Sequence, residues 1–367
     1  MKILLVNNDK GWGGGQEHLK ELARQFLHVG HDPHFLCRSK SPSEQKYSLL
    51  GCPVYGVFAG GGTILQSLYR TARILRREVF DVIMVTREHD LLRTVLAWKL
   101  AFPLKKKSKL VVCYHTATSR KQLFLCSVDA IICISTFIKD TLLSACPAPP
   151  APVTVISNGI AVGAEPAPEK FSVTRKHRYF EHTTFPLIGM VGAFFKNQEE
   201  LLEIVLILKK EFPTIKVALV GDDSDSGLTG PIVARARALG VEDSLIFTGK
   251  VPHEKLSEVY FDFDISVSTF RNEGFGLVHL ESMAAGTPVI AYNEGGQVDI
   301  LRDGKGGILV DGGVAEFAAA VHGLLKDHEQ RFALGRCGYA LVRDRFSAER
   351  MGRNYSDFLE NLIVEVL

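Results

Sequence analysis

Between Arg271 and Ala291 the chain sets two carboxylates, Glu273 and Glu281, around a glycine turn, Gly274-Phe275-Gly276, that leads into an apolar segment starting at Leu277. Glycine at 274 and 276 lets the backbone approach a ligand closely. A helix beginning at Leu277 aims its first N–H groups and the positive end of its dipole at that ligand, which suits a phosphate. Glu281 falls a little over one turn into the helix, where a carboxylate can accept hydrogen bonds from ribose hydroxyls. Glu273, just ahead of the helix, can hold a sugar hydroxyl. Core packing does not account for two acids so placed; capping and a solvated face are the plainer alternatives. A second candidate is His115, directly after the apolar run Leu110–Tyr114, at the strand end where catalytic groups gather on parallel sheets.

Such groups need rigid strands behind them, and the apolar pattern supplies two sets. In the first half strands are expected at Lys2–Asn7, His34–Cys37, Val54–Val57, Val82–Val85, Leu110–Tyr114, Ala130–Ile134 and Val153–Ile156. Helices at Glu17–Leu27, Ile64–Arg77 and Thr94–Leu100 fall between some of them. In the second half strands are expected at Leu187–Val191, Lys216–Val220, Ser244–Phe247, Asp264–Ser268, Val289–Ala291 and Ile308–Val310. There, helices are expected at Glu199–Glu211, Pro231–Leu239, His253–Phe261, Leu277–Ala285 and Ala315–Leu325. Strands alternating with helices imply parallel sheets covered on both faces. The fold class is therefore α/β, with two doubly wound Rossmann-like domains, residues 1–160 and 161–347, facing across a cleft. Residues 161–186, with three prolines and many charges, read as the connection, and 348–367 as a terminal helix packing back toward the first domain. Length agrees: 367 residues exceed one comfortable core.

At this point the chain resembles a known family. Glu273-Gly-Phe-Gly-Leu277, Glu281 and Met283-Ala-Ala-Gly-Thr-Pro-Val-Ile-Ala291 resemble the donor-site signature of retaining glycosyltransferases of the GT-B fold, the large group that includes enzymes of glycogen, sucrose and lipopolysaccharide-core synthesis. Ser157-Asn-Gly-Ile160 is similar to the family's turn into the linker. Val191-Gly192 with Lys196-Asn-Gln198 resembles the first donor-domain strand and its phosphate-binding lysine. Phe247-Thr-Gly-Lys-Val251 resembles the loop that contacts the nucleotide base, and Gly295-Gly296 with Gly304–Val310 the loop and strand that follow. Gly14 and Gly15 resemble the glycine loop that closes over donor and acceptor, although a tight strand–helix turn needs glycine in any case. His115 is similar to the histidine that hydrogen-bonds the donor sugar, and Ser135 to a serine after the next strand.

The resemblance implies a nucleotide diphosphate sugar as donor, a glycan or glycolipid acceptor on the first domain and retention of anomeric configuration. The expected catalytic residues are Glu273, His115 and Lys196. Gly14, Gly15, Lys196, Val251, Gly274, Phe275, Gly276, Leu277 and Glu281 would bind the donor. No cofactor and no metal are expected, the nearest imitation of a metal-binding Asp-x-Asp being Asp223-Ser-Asp225. One departure stands out. The family usually carries arginine directly after the Val-Gly turn, where this chain has Ala193, and a lysine alone supplies a point charge without a bidentate grip. Either Arg271 compensates, or diphosphate binding is weaker, or the donor is unusual. The aspartate that often follows Asn-Gly-Ile is Ala161 here. Other readings stay open: a nucleotide-sugar epimerase or phosphorylase of the same fold, or a silent sugar-binding protein. A nicotinamide enzyme is disfavoured, because Gly11-Trp-Gly13 lacks its third glycine, position 16 being Gln.

Composition narrows the rest. A 46% hydrophobic chain with net charge +2 is no disordered segment. No apolar run reaches the roughly 18 residues that a bilayer demands, and Ile3–Val6 is too short for a signal-peptide core. Seven cysteines without a Cys-x-x-Cys pair point to a reducing, cytoplasmic compartment. Residues 1–160 hold 21 Lys and Arg against 11 Asp and Glu, the remainder 22 against 30, so the first half should attract something anionic. Residues 99–109, with five lysines among apolar residues, suit an anionic membrane surface at its cytoplasmic face or a phosphorylated glycolipid. No nucleic-acid motif is present.

Overall fold

The computed structural model describes residues 1–57, 63–86, 88–102, 108–117, 127–180, 186–221 and 227–364. Asp223-Ser-Asp225 and residues 103–107 of the lysine-rich stretch at 99–109 lie outside the described residues. The chain forms two compact units, one of residues 1–161 with 347–367 and one of residues 162–346.

The first unit holds seven parallel strands: β1 (Lys2–Asn7), β2 (Asp32–Cys37), β3 (Val54–Gly56), β4 (Val82–Val85), β5 (Lys109–Tyr114), β6 (Ala130–Cys133) and β7 (Val153–Val155), in the order β3-β2-β1-β4-β5-β6-β7. Side chains on both faces of β1 and β4 are buried, as a sheet with helices on both sides requires. Its helices are α1 (Gly14–His28), α2 (Pro42–Ser48), α3 (Ile64–Glu78), α4 (Glu88–Ala101) and α5 (Thr136–Ala145). Of these, α2 and α5 were not expected. Both start at a serine whose hydroxyl accepts from an N–H three residues on, Ser41 from Glu44 and Ser135 from Ile138.

The second unit repeats the plan with β8 (Leu187–Val191), β9 (Lys216–Val220), β10 (Leu245–Gly249), β11 (Ile265–Ser268), β12 (Val289–Tyr292) and β13 (Gly307–Val310), ordered β10-β9-β8-β11-β12-β13. Its helices are α6 (Gln198–Leu208), α7 (Thr229–Leu239), α8 (Leu256–Asp262), α9 (Leu277–Ala284), α10 (Gln297–Leu301), α11 (Val314–Lys326) and α12 (His328–Arg345). The long α12 was not expected, and it carries Gly335 and Gly338 in its interior. Here they permit close approach: a Cβ on Gly335 would lie 2.2 Å from the Gly286 oxygen, and one on Gly338 3.2 Å from the Gly306 Cα. The last helix, α13 (Ala348–Val364), belongs to the first unit and lies along α1. There Met351, Tyr355, Leu359 and Leu362 are buried. In both sheets the order reverses beside the unit's own first strand, at β1/β4 and β8/β11, the switch points where such sheets bind ligands.

Within the expected connection, residues 170–180 are tied to the second unit. Lys170 is buried and donates to the carbonyls of Phe261 and Phe263, each at 2.7 Å. Arg175 pairs with Asp264 at 3.1 Å, and the Asp262 carboxylate accepts from the N–H groups of Arg178, Tyr179 and Phe180. The segment is thus clamped to the second unit. Among the described residues no helix is long and apolar enough to cross a membrane.

Candidate active site

The second unit concentrates the chemistry at the carboxyl ends of β8 and β11, the two strands of its switch point. Lys196 follows β8 and Glu273 follows β11, and the lysine Nζ donates to Glu273 Oε2 at 2.5 Å. Both side chains are largely buried, 19% and 15% exposed. Burial pushes the Glu273 carboxyl up, yet the adjacent Lys196 ammonium outweighs it and holds the group below its ordinary value. Sequence reasoning named these two residues separately; their pairing is a tertiary fact.

Backbone geometry explains the glycines here. Gly192 has φ +143°, and a Cβ on it would touch the Lys196 stem at 3.3 Å. Gly276, at φ +104°, starts α9 without a side-chain cap, and a Cβ there would meet the His279 ring at 2.3 Å. The Gly295-Gly296 turn lies against the same loop, since Gly296 N–H donates to the Glu273 carbonyl at 2.7 Å. A Cβ on Gly296 would fall 2.1 Å from the Gly274 oxygen. Leu277 is half-exposed and Phe275 is buried, its ring set edge-on against Phe346. Phe275 therefore presents backbone, not its ring, to any ligand. Glu281 accepts a hydrogen bond from the Tyr260 hydroxyl at 2.9 Å. Half-buried Val251 packs against the cluster of Phe180, Val259 and Phe263.

Several supporting residues escaped sequence reasoning. Asn197, left-handed at φ +63°, joins the two strand-end loops: its amide donates to the Thr269 carbonyl at 3.3 Å, and the Thr269 hydroxyl donates to the Asn197 carbonyl at 2.7 Å. Buried His279 meets Gln297 at 3.1 Å, and the Gln297 amide donates to the carbonyls of Tyr292 and Phe270. The Gln297 spacing, directly after Gly295-Gly296, was the available signal.

Arg271, the residue considered as a substitute for the missing arginine, is engaged by its own unit in this structure. Its guanidinium lies 3.5 Å from the Tyr292 ring centroid, pairs with Glu294, stands 3.7 Å from Glu200 and donates to the Gly312 carbonyl at 2.9 Å. Two carboxylates already balance it.

In the first unit, Gly14 is exposed and half-buried Gly15 leaves open space where a Cβ would be. Gln16 ties down the loop before them, donating to Asp9 at 2.7 Å and accepting from Gly13 N–H at 2.9 Å. His115 directly follows β5, and its ring packs edge-on against His18, with centroids 4.8 Å apart. Burial lowers the His115 pKa to about 4. Burial, with His115 beside it, drives His18 well below the ordinary value. Among the described residues neither His18 nitrogen nor His115 Nε2 has a hydrogen-bond partner. Ser135 is spoken for as the α5 cap.

Comparison with known proteins bears on this arrangement. Residues 174–340 match the model of glycosyl transferases group 1, and residues 12–163 that of glycosyltransferase family 4. Each half of the chain thus matches a glycosyltransferase family model, and the second half carries the group 1 domain. The chain is 36% identical over 184 residues to a D-inositol 3-phosphate glycosyltransferase of Corynebacterium kroppenstedtii, covering 48% of this chain and 41% of that protein. It is 32% identical over 227 residues to one of Thermobispora bispora, covering 59% and 53%. The chain thus spans about half the length of these curated relatives. Among solved structures, a glycosyltransferase of Rickettsia africae superposes with TM-score 0.82 at 18% identity, covering 99% of this chain and 98% of the other. Anabaena HepE, solved with UDP and glucose, gives 0.81 at 19%, covering 98% and 100%. These two likenesses establish the shared fold, two Rossmann-like α/β units of the GT-B type.

Proposed function

We propose that this glycosyltransferase moves a sugar from a nucleotide diphosphate sugar, UDP-linked, to a hydroxyl of a glycan or glycolipid, with retention of configuration and without a metal. The observation that carries the reading is the Lys196–Glu273 pair beside the open start of α9, at the switch point of the second sheet. HepE, of the same fold, was solved with UDP-glucose, which supports uracil as the base. The relatives named for D-inositol 3-phosphate support a hydroxyl-bearing acceptor.

In the reaction the bond from the anomeric carbon to the diphosphate oxygen breaks, and the acceptor oxygen bonds that carbon from the same face. The acceptor's proton passes to the departing phosphate. Negative charge grows on the diphosphate, where Lys196 Nζ and the first N–H groups of α9 stabilise it; a preorganised donor of this kind is typically worth about 3 kcal/mol. Lys196 is shared: Glu273 holds it in place, and the phosphate draws on the same ammonium. Glu273 then orients sugar hydroxyls, and Glu281 takes the ribose.

Thermal-shift titration with UDP-, GDP-, ADP- and TDP-sugars tests the reading, since a ligand of the native state raises its melting point. The UDP-sugar should stabilise the wild type and not Lys196→Ala, and slow donor hydrolysis should follow without acceptor. A chain that no nucleotide sugar stabilises would overturn it.

A further inference from the structure

In the first unit α3 and α4 pack side by side, and Arg76 locks them together by donating from Nε to the Ala101 carbonyl at 3.1 Å and from Nη2 to that of Leu100 at 2.5 Å. The inner stripe of α3 is Leu68, Thr71, Ala72 and Leu75. The residues turned outward do not fit the usual solvated face. Leu65 is 76% exposed, Tyr69 69% and Ile64 62%, and on α4 Leu100 is 54% exposed. On the same two helices the cations Arg70, Arg73 and Lys99 are also exposed.

Single exposed apolar side chains are ordinary. Several on two locked helices, interleaved with arginine, are not. The only acid on α3, Glu78, is turned to Lys2 at 2.8 Å and to Arg77 at 2.9 Å. Among the described residues no carboxylate pairs with Arg70 or Arg73.

We propose that the outer face of α3 and α4 docks on an anionic lipid bilayer, with Leu65, Tyr69 and Leu100 entering the headgroup boundary and Arg70, Arg73 and Lys99 meeting lipid phosphates. A bilayer answers both halves of the pattern, since apolar area and positive charge each add to interfacial binding and neither alone suffices. A second copy of the chain is the poorer occupant: a two-fold contact through this face would set the same arginines against each other. The surface belongs to the first unit and shares no residue with the proposed donor site, so this inference stands whichever sugar the second unit takes.

The test is sedimentation of the full chain with vesicles of mixed phosphatidylglycerol and phosphatidylcholine, and with phosphatidylcholine alone. Binding to the mixed vesicles is expected, weakening as salt is raised, with little to phosphatidylcholine. Each arginine should contribute about five-fold, so Arg70→Gln with Arg73→Gln should lower the partition coefficient about 25-fold. Leu65→Ser with Tyr69→Ser should also release the protein. Both double variants should keep the wild-type thermal shift with UDP, which separates this proposal from the donor reading. Failure of the wild type to bind mixed vesicles, or equal binding by both variants, would overturn it. So would a wild-type dimer in solution that these substitutions abolish.

Discussion

Glu273 and Glu281 look alike in the sequence and differ in their surroundings. Glu273 is held ionised by Lys196 (2.5 Å), whereas Glu281 accepts from the Tyr260 hydroxyl, itself deep in the core. Glu273→Gln should therefore lower turnover, by about 100-fold or more, with a small change in donor affinity. Glu281→Ala should raise the donor KM about 10- to 100-fold with turnover nearly kept. It should also lower the melting temperature, because a buried hydroxyl loses its acceptor, and Glu281→Gln should restore most of that stability. Steady-state kinetics and melting curves on the three variants check this; unchanged kinetics in all of them would remove both roles. The histidine pair makes a pH prediction. His18 and His115 stay neutral when folded, His115 down to about pH 4, while the unfolded chain takes up a proton on each near the ordinary value of 6.5. Their contribution is whole above pH 6.5 and is lost as pH falls through that window. The slope is about 1.4 kcal/mol per pH unit for each histidine. Denaturant unfolding at pH 7, 6 and 5 should show a shallower loss in His18→Phe than in the wild type.

At the scale of elements, apolar runs located every strand, because a strand buried on both faces has little choice but Val, Ile and Leu. Helices were harder to read. α12 carries Gly335 and Gly338 in its interior, where they let backbones approach. The five residues of α10 (Gln297–Leu301) carry no period of their own. The segment before β8 misled for another reason: its charges read as solvent-facing, yet Lys170, Arg175, Asp264 and Arg331 are all buried together at the amino end of the sheet. Arg175 lies 3.1 Å and Arg331 3.7 Å from Asp264. Asp264→Asn should leave these cations without their carboxylate and cost roughly 3–5 kcal/mol. Denaturant unfolding of the variant, followed by hydrogen exchange in β8 and β11, would show it; wild-type stability would mean that the pair adds nothing.

On the scale of the whole molecule, the chain leaves the first unit after Ala161 and returns at Ser347. The two passages touch within that unit: Ala348 N–H donates to the Ile160 carbonyl at 2.7 Å, and a Cβ on Gly159 would sit 2.4 Å from the Ser347 oxygen. This gives the Asn158-Gly159 turn its glycine. The returning α13 then covers α1, with Tyr355 buried 3.3 Å from the Cys113 sulfur. Removing residues 348–364 should uncover α1 and β5, so amide exchange there should quicken sharply while β8–β13 keep their protection. Equal protection in both units would show α13 to be dispensable. By itself the sequence determined the two parallel sheets, the glycine-flanked acids at 273 and 281 and the lysine at 196, since local apolar patterns and backbone-limited glycines are written in short windows. Only the tertiary structure decided that Lys196 serves Glu273, that Arg271 is already balanced, that Phe275 turns its side chain away, and that His18 lies on His115. Those outcomes depend on which residues far apart in the chain come within a few ångströms of each other, and neither composition nor spacing records that distance.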